Sequence, residues 1–234
     1  MMDNLKISVN VDSIENEIDQ DKFLLNLSDH ILYLKSFISL DECEQLVHNL
    51  NSNTERDKSA PYTDGLLNDQ TDSYFDPDIE VIESIKNKVL DEGLKQYSEK
   101  VRCFNWAYYG NKNLHPSEMI VRRYNNQSEF KYHYDDIIEE IFPMWFMRRK
   151  NILTCNVYLN DNTDYTGGEL HFASCNQTYR PSVGDVIISP SNWMFYHKVK
   201  PVTSGVRYSG TFWLYYGSNK KVIKGKTHNE VFSK

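Results

Sequence analysis

The strongest indication of the fold in this sequence is a change of hydrophobic period near residue 101. Before it, apolar residues recur at helical spacing. After it, they alternate with polar residues in short segments, namely "MIVRRY", "KYHYD", "ILTCNVYL", "ELHF", "DVIISP", "WMFYHKV" and "RYSGTFWLYY". Such alternation is typical of β-strands with one buried face. Helices followed by many short strands predict a mainly β (α+β) fold, a single β-sandwich or barrel braced by N-terminal helices.

The N-terminal part predicts a strand in "HILYLKSFI" and two helices. Ser39 and Glu42 form a capping box that opens the first helix. Its apolar face holds Leu40, Cys43, Leu46, Val47 and Leu50. Asp76 and Pro77 are typical of the start of a second helix, whose apolar face holds Ile79, Ile82, Ile85 and Val89. The polar segment between them, residues 51–73, predicts a long mobile loop.

Composition and charge limit the domain count, the partners and the compartment. With 234 residues, 40% of them apolar, the chain suits one domain over residues 31–220. Residues 1–30 predict a flexible or loosely docked lead-in, and residues 221–234 a polar tail. The net charge of −7 argues against nucleic acid as a partner. Cysteines that stand far apart, the lack of a signal-peptide pattern and the lack of a long apolar run predict a cytoplasmic protein with reduced thiols and no membrane partner.

A candidate metal site starts from "HYD", in which His133 and Asp135 stand two residues apart. On a strand this spacing puts both side chains on one face, although the pair alone is common by chance. His197 lies on a late strand that can face the first across a sandwich. Two histidines and one carboxylate are the ligands of non-haem Fe(II) oxygenases. Zinc enzymes also use this set, so these ligands leave the metal open.

Arg207 favours the oxygenase interpretation. It follows His197 by ten residues, beyond a turn predicted near Thr203. In the resulting hairpin Arg207 is expected close to opposite Val199, on the same face as the metal ligand. Burying an arginine is unfavourable unless an opposite charge lies close to it. The distal carboxylate of 2-oxoglutarate would supply one through a bidentate, charge-assisted pair.

Together these residues resemble the 2-oxoglutarate- and Fe(II)-dependent dioxygenases, and within them the prolyl 4-hydroxylase branch. The resemblance runs from about residue 31 to 216. It includes "VYLN" at 157–160, "GGELHF" at 167–172 and the block "GDVIISPSNWMFYHKVKPVTSGVRYSGTFW". It implies a double-stranded β-helix (jelly roll) that uses Fe(II), 2-oxoglutarate and O2, with ascorbate as a reductant.

The resemblance also implies a role for individual residues. Those that match catalytic and iron-binding positions are His133, Asp135 and His197, with Arg207 as the anchor of the distal carboxylate. Those that match other cosubstrate positions are Tyr158, Tyr124 and Thr211. Residues expected near the substrate are Trp213, Arg149 and Tyr134. Packing within the sheet would suit both cosubstrate tyrosines and Trp213 equally well.

The leading substrate implied by the resemblance is peptidyl proline, which makes a proline-containing peptide or protein the expected partner. Another protein side chain, a free amino acid or a small metabolite stays open, as does a non-oxidising cupin-like binding module. Nucleic-acid demethylation is disfavoured by the acidic charge. The insertion at 136–150 predicts a short helix packed on the sheet, or else a lid at the site, where Arg148 or Arg149 could hold a peptide.

Overall fold

The computed structural model describes residues 26–52, 71–75, 80–101, 104, 114–136, 138–140 and 148–216, and the side chains of all of these except 71–75, 138–140 and 148–149. Residues 1–25 of the predicted lead-in and the whole predicted tail at 221–234 lie outside this part, whereas residues 26–30 lie within it. Asp76 and Pro77 also lie outside this part. Among the described helices, none has the length and apolar character needed to cross a membrane.

The described part contains three α-helices, fourteen strands and two short 3-10 helices, at Leu27–His30 and Trp193–Phe195. The helices are α1 Leu40–Ser52, α2 Glu80–Lys88 and α3 Leu94–Lys100, with a π-helical turn at Val89–Gly93 between the last two. The strands are β1 Leu32–Leu34, β2 Thr71–Phe75, β3 Leu114–Pro116, β4 Ile120–Tyr124, β5 Phe130–His133, β6 Ile138–Glu140, β7 Arg148–Tyr158, β8 Tyr165–Gly167, β9 Leu170–Phe172, β10 Gln177–Tyr179, β11 Val186–Pro190, β12 His197–Val199, β13 Val202–Gly205 and β14 Arg207–Tyr216.

The strands form two facing antiparallel sheets and a short ribbon. The larger sheet has the order β1-β11-β7-β14-β4-β2, with β3 beside β14 and β6 beside β7. The smaller sheet has the order β10-β9-β12-β5, and β13 pairs with β8. One apolar cluster joins Tyr158 and Ile187 of the larger sheet to Phe172 and Val199 of the smaller one. This double-sheet arrangement is the predicted jelly roll.

Alternation along the central strands decides what lies on each side of the larger sheet. On one side Cys155, Val157, Phe212 and Leu214 join the buried residues of the three helices in a single core. On the other side the intervening residues of β4, β7 and β14 face the smaller sheet. These intervening positions carry the polar residues of the candidate site. The N-terminal helices thus support the back of the sheet that presents the site.

The predicted start of α1 is confirmed. The Ser39 N–H donates to Glu42 Oε2 over 3.1 Å, and the Glu42 N–H donates to Ser39 Oγ over 3.3 Å. Cys43, Leu46 and Leu50 are buried as expected. Leu40, however, is 60% exposed, so its place on the predicted apolar face is wrong. At the first helical position a side chain points past the end of the core-facing stripe.

Three predictions of local structure are corrected. Residues 71–73, assigned to a loop, begin β2, which pairs with β4. The first half of "WMFYHKV" is a 3-10 turn at Trp193–Phe195, and only its end forms β12. In the 136–150 insertion the described residues form no helix, because β6 pairs in antiparallel register with the start of β7. At residues 138–140, pairing with a neighbouring strand outweighs the predicted helix. Residues 141–147, where a helix or a lid was also predicted, lie outside the described part.

The predicted hairpin between His197 and Arg207 is also wrong. Residues 202–205, expected as a turn, form β13, which pairs with β8. β12 pairs with β5 and β9 in the smaller sheet, whereas Arg207 stands opposite Tyr124 of β4 in the larger sheet. The residues nevertheless meet, because the two sheets face each other across one cavity.

Candidate metal and oxoacid site

The three predicted metal ligands lie together at one end of the cavity. One ligand atom from each of His133, Asp135 and His197 lies within 4.8 Å of the others. Asp135 Oδ1 is 3.5 Å from His133 Nε2, and Asp135 Oδ2 is 3.6 Å from His197 Nε2. Ligands bound about 2.1 Å from one ion lie roughly 3 to 4 Å apart. The spacing therefore suits a shared cation.

Strand pairing brings the two histidines together and hydrogen bonds orient their rings. β5 and β12 are neighbours, and His197 stands opposite His133. His133 Nδ1 lies 2.8 Å from the Lys131 carbonyl, and His197 Nδ1 lies 2.9 Å from the Phe195 carbonyl. A carbonyl only accepts, so each Nδ1 carries the hydrogen and each Nε2 presents its lone pair to the shared point.

Asp135 is held from its backbone and its side chain. The Thr154 hydroxyl donates to Asp135 Oδ2 over 2.8 Å. The Asp135 N–H donates to the Ser191 carbonyl, and Asn151 Nδ2 donates to the Asp135 carbonyl, each over 3.0 Å. The carboxylate therefore has one orientation fixed before any ligand arrives.

The protonation states at neutral pH match a cation site. Burial alone would raise the pKa of Asp135, but His197, His133 and the Thr154 hydroxyl outweigh it and lower that pKa. Burial, aided by the neighbouring His197, lowers the pKa of His133 to about 4. The carboxylate is thus ionised while the His133 ring is neutral, as a metal ligand must be.

At the other end of the cavity, Arg207 is enclosed by aromatic rings. It is 2% exposed, and its guanidinium carbon lies 4.7 Å from the Tyr124 ring centroid and 5.2 Å from that of Tyr158. Its Nη1 donates to Ser209 Oγ over 3.1 Å. Within the described part of the chain, Arg207 Nε and the Tyr158 hydroxyl are buried without a hydrogen-bond partner. Burial raises the pKa of Tyr158, so its hydroxyl stays protonated and able to donate.

Gly168 lets the backbone pass close to this arginine. Its φ is +69°, and a Cβ built there would lie 2.9 Å from Arg207 Cδ and 3.0 Å from Val202 Cγ2. Only glycine accepts both the left-handed conformation and the close approach without strain. The second glycine of "GGELHF" therefore shapes the wall behind the arginine.

The remaining predicted residues divide into two groups. Thr211 and Trp213 line the same cavity as the triad, and Trp213 Nε1 is buried with no hydrogen-bond partner among the described residues. Tyr134 lies beside the triad and is 51% exposed. Arg149 stands apart, opposite Glu139 and five residues before Thr154 along β7, and its side chain lies outside the described part.

Several polar residues at the site were missed from the sequence, among them Ser209, which accepts from Arg207, and four others. The four others are Arg122, Thr154, Asn156 and Ser191. Arg122 shares a strand face with Tyr124, and Thr154 and Asn156 share one with Tyr158, so alternation alone would have placed these three inward. Ser191 follows β11, where no periodic signal exists.

These features fit the metal and cosubstrate that the sequence implied. The donor set is two imidazole nitrogens and one carboxylate, and three coordination positions would remain for other ligands. Arg207 and the Tyr158 hydroxyl supply unanswered hydrogen-bond donors in the same region, as a carboxylate requires. The residues at the two ends are thus suited to Fe(II) and to 2-oxoglutarate respectively.

Comparison with known sequences supports this interpretation. The sequence model of the 2OG-Fe(II) oxygenase superfamily matches residues 119–215. A PKHD-type hydroxylase of Janthinobacterium sp. (strain Marseille) is 33% identical over 97 residues, which are 41% of this chain and 42% of that protein. One of Pseudomonas putida (strain W619) is 31% identical over 97 residues, 40% of this chain and 41% of that protein. The chain thus spans less than half of the length of these relatives.

Solved structures share the fold over most of the chain. The viral collagen prolyl hydroxylase of Paramecium Bursaria Chlorella virus-1, in its 2OG complex, gives a TM-score of 0.56 at 18% identity over 80% of this chain and 96% of that one. A Trichoplax adhaerens prolyl hydroxylase, in complex with a hypoxia inducible factor peptide fragment, gives 0.57 at 18% identity over 94% and 99%. At this identity the likeness establishes the fold.

The fold, the triad and the family match agree with one another. Fe(II) and 2-oxoglutarate, for which the superfamily is named, are the metal and cosubstrate that the site fits. Over residues 119–215 the chain is therefore similar in sequence to the 2OG-Fe(II) oxygenase superfamily, and it shares the jelly-roll fold of the solved prolyl hydroxylases.

Proposed function

We propose that the chain hydroxylates a C–H bond of peptidyl proline, while O2 and 2-oxoglutarate are converted to the new hydroxyl group, succinate and CO2. The observation that carries the oxygenase chemistry is the buried Arg207, which faces the same cavity as the His133, Asp135 and His197 side chains. A protein that only bound a structural metal would have no use for this buried arginine, which has no carboxylate partner among the described residues.

The chain's own residues bind and orient the reactants. His133, Asp135 and His197 present three fixed donor atoms, and Arg207 with the Tyr158 hydroxyl holds the distal carboxylate. When bound, Fe(II) supplies the O2 chemistry that couples oxidative decarboxylation of the oxoacid to hydroxylation. The enclosing aromatic and apolar side chains exclude water, which strengthens the pairing between guanidinium and carboxylate.

Exposed aromatic residues near the triad support a proline-containing partner. Tyr134 separates two of the ligands in sequence, and Trp193, which is 70% exposed, belongs to the turn that leads into His197. Tyr196, in the same segment, is also exposed. Aromatic surfaces bind extended proline-rich chains, because these are already ordered as polyproline II helices. The peptide complex of the Trichoplax neighbour is consistent with this choice.

The first test needs no substrate. Fe(II) and 2-oxoglutarate are added to purified metal-free protein without oxygen, and the visible charge-transfer band of a chelated oxoacid is recorded. We expect a band in the parent, a weaker one in Arg207→Gln and none in Asp135→Ala. A folded, metal-binding parent that gives no band would contradict the oxygenase function.

The second test addresses the substrate. Proline-rich peptides are incubated with the protein, Fe(II), 2-oxoglutarate, O2 and ascorbate, and peptide mass and succinate are measured together. We expect one oxygen atom gained per succinate formed in excess of the peptide-free reaction, and no gain in matched peptides with alanine for proline. Hydroxylation of the alanine peptides, or of free amino acids alone, would exclude peptidyl proline while leaving the oxygenase chemistry intact.

A further inference from the structure

A second arginine lies in the candidate site without an assigned role. Arg122 is 2% exposed and lines the cavity together with the triad and Arg207. Its Nε is buried and has no hydrogen-bond partner among the described residues. Neither arginine forms an ion pair with a carboxylate in the described part of the chain. Such a group costs folding free energy unless a ligand answers its charge.

The position of Arg122 is closer to the metal end than that of Arg207. Its guanidinium carbon lies 5.3 Å from the Phe130 ring centroid, and that ring stacks on the His133 ring with centroids 3.9 Å apart. In the pairing of β4 with β14, Arg122 stands opposite Ser209, whereas Arg207 stands opposite Tyr124. The two arginines are therefore offset by two residues, about 7 Å along the strands.

The net positive charge of the cavity also favours a ligand with two carboxylates. Its described lining carries two guanidinium groups and one carboxylate, that of Asp135. A divalent metal would raise the net charge from about +1 to about +3. A dicarboxylate would return it to about +1. Burial lowers the pKa of Arg122, and the nearby Arg207 acts in the same direction, while Tyr124 and Asp135 oppose them. A second anionic group close to Arg122 would relieve this cost.

We infer that Arg122 binds the metal-proximal carboxylate of 2-oxoglutarate, so that the cosubstrate is held by a guanidinium at each end. The inference rests on the proposed function. It assigns Arg122 to the carboxylate next to the oxo group, while Arg207 keeps the distal one. The contribution of Arg122 is then independent of whether the ligand has a distal carboxylate at all.

Two ligands separate the two arginines. The anaerobic Fe(II) protein is titrated with 2-oxoglutarate and with 2-oxobutyrate, which lacks the distal carboxylate, and dissociation constants are taken from the charge-transfer band. Loss of a charge-assisted hydrogen-bonding group weakens binding about 10- to 100-fold. We expect Arg122→Gln to weaken both ligands by similar factors. Arg207→Gln is expected to weaken 2-oxoglutarate alone.

Controls come from the same strand. Arg123 points to the opposite face of β4 and is half-buried, so Arg123→Gln should leave both dissociation constants within about twofold. Arg122→Lys keeps the charge and loses the planar fork, and should fall between the parent and the glutamine variant. Thermal melting of the metal-free protein shows whether Arg122→Gln folds. If it does not, Arg122→Lys is used for the test instead.

Several results would overturn the inference. An unchanged affinity for 2-oxoglutarate in the Arg122 variants, with or without a raised KM for a substrate, would assign the arginine elsewhere. A loss confined to 2-oxoglutarate would place Arg122 at the distal carboxylate. If the parent itself binds no oxoacid, the proposed function fails first, and that result differs from all the others.

Discussion

The two ends of the candidate site differ in how well their polar groups are paired. At the metal end, both imidazole Nδ1 atoms, the Asp135 carboxylate and its backbone all have partners within the described chain. At the oxoacid end, Arg207 Nε and the Tyr158 hydroxyl are buried without one. The three metal-ligand candidates are therefore organised before ligand binding, whereas Arg207, Tyr158 and also Arg122 carry polar groups that only a ligand would satisfy.

The difference in hydrogen bonding indicates that the two ends of the site have different tasks. Fixed hydrogen bonds at the metal end set the tautomer and direction of each ligand, which favours affinity and geometry. Unpaired donors at the oxoacid end would reduce the stability of the ligand-free protein, and under the proposed function 2-oxoglutarate would be a stabilising ligand. Variants at the two ends should accordingly differ in which ligand they affect.

The largest effect is expected from Asp135→Ala, because it removes the carboxylate that both histidines face. Metal affinity should fall at least about 100-fold, beyond the loss usual for residues that merely support a ligand. Titration calorimetry with Fe(II) or Mn(II) under anaerobic conditions measures it. Asp136→Ala is the matched control. Asp136 lies outside the triad, and its Oδ2 is 3.8 Å from Lys150 Nζ. Equal losses in both variants would contradict the assignment.

The next effect is expected from Arg207→Met, which removes the charge at nearly constant volume. Affinity for 2-oxoglutarate should fall about 10- to 100-fold, while metal affinity stays near that of the parent. The metal-free melting temperature should not fall, because an unanswered buried charge is lost. In the parent, 2-oxoglutarate at 100 times its Kd should add about 2.7 kcal/mol to the unfolding free energy. If Arg207→Met melted at a lower temperature and were still stabilised by 2-oxoglutarate as much as the parent, the assignment of Arg207 to the oxoacid end would be contradicted.

A smaller effect is expected from Thr154→Val, which keeps the shape of the side chain and removes the hydroxyl that holds Asp135 Oδ2. Metal affinity should fall about tenfold, at the lower end for a supporting residue. Thr154→Ser keeps the hydroxyl and should restore most of the affinity. Unchanged binding in the valine variant would show that the carboxylate is oriented by its backbone contacts alone.

The smallest effect is expected from Ser39→Ala at the start of α1, behind the sheet. Loss of the cap should lower the unfolding free energy by about 1 kcal/mol. Neither metal nor 2-oxoglutarate affinity should change, because the helix supports the opposite side of the larger sheet. Denaturant unfolding together with both titrations tests this. A change in either affinity would mean that the two sides are coupled.

Sequence alone determined the residue types of the site and the face on which each lies. The "HYD" spacing, His197, Arg207 and the inward positions Thr211 and Trp213 follow from alternation and from the family resemblance. The same alternation would have selected Arg122, which was missed because the resemblance assigned nothing to that position. Residues 138–140 of the insertion form β6 instead of the predicted short helix, since apolar spacing carries no information about a partner strand.

Only the tertiary structure decided which strands are neighbours. Arg207 meets the triad across two sheets and stands opposite Tyr124, and the expected hairpin with His197 does not form. A period of two fixes which face a side chain occupies, but pairing between strands depends on backbone hydrogen bonds to segments far away in sequence. For the same reason the unpaired donors around Arg207 and Arg122 become visible only when both sheets are in place.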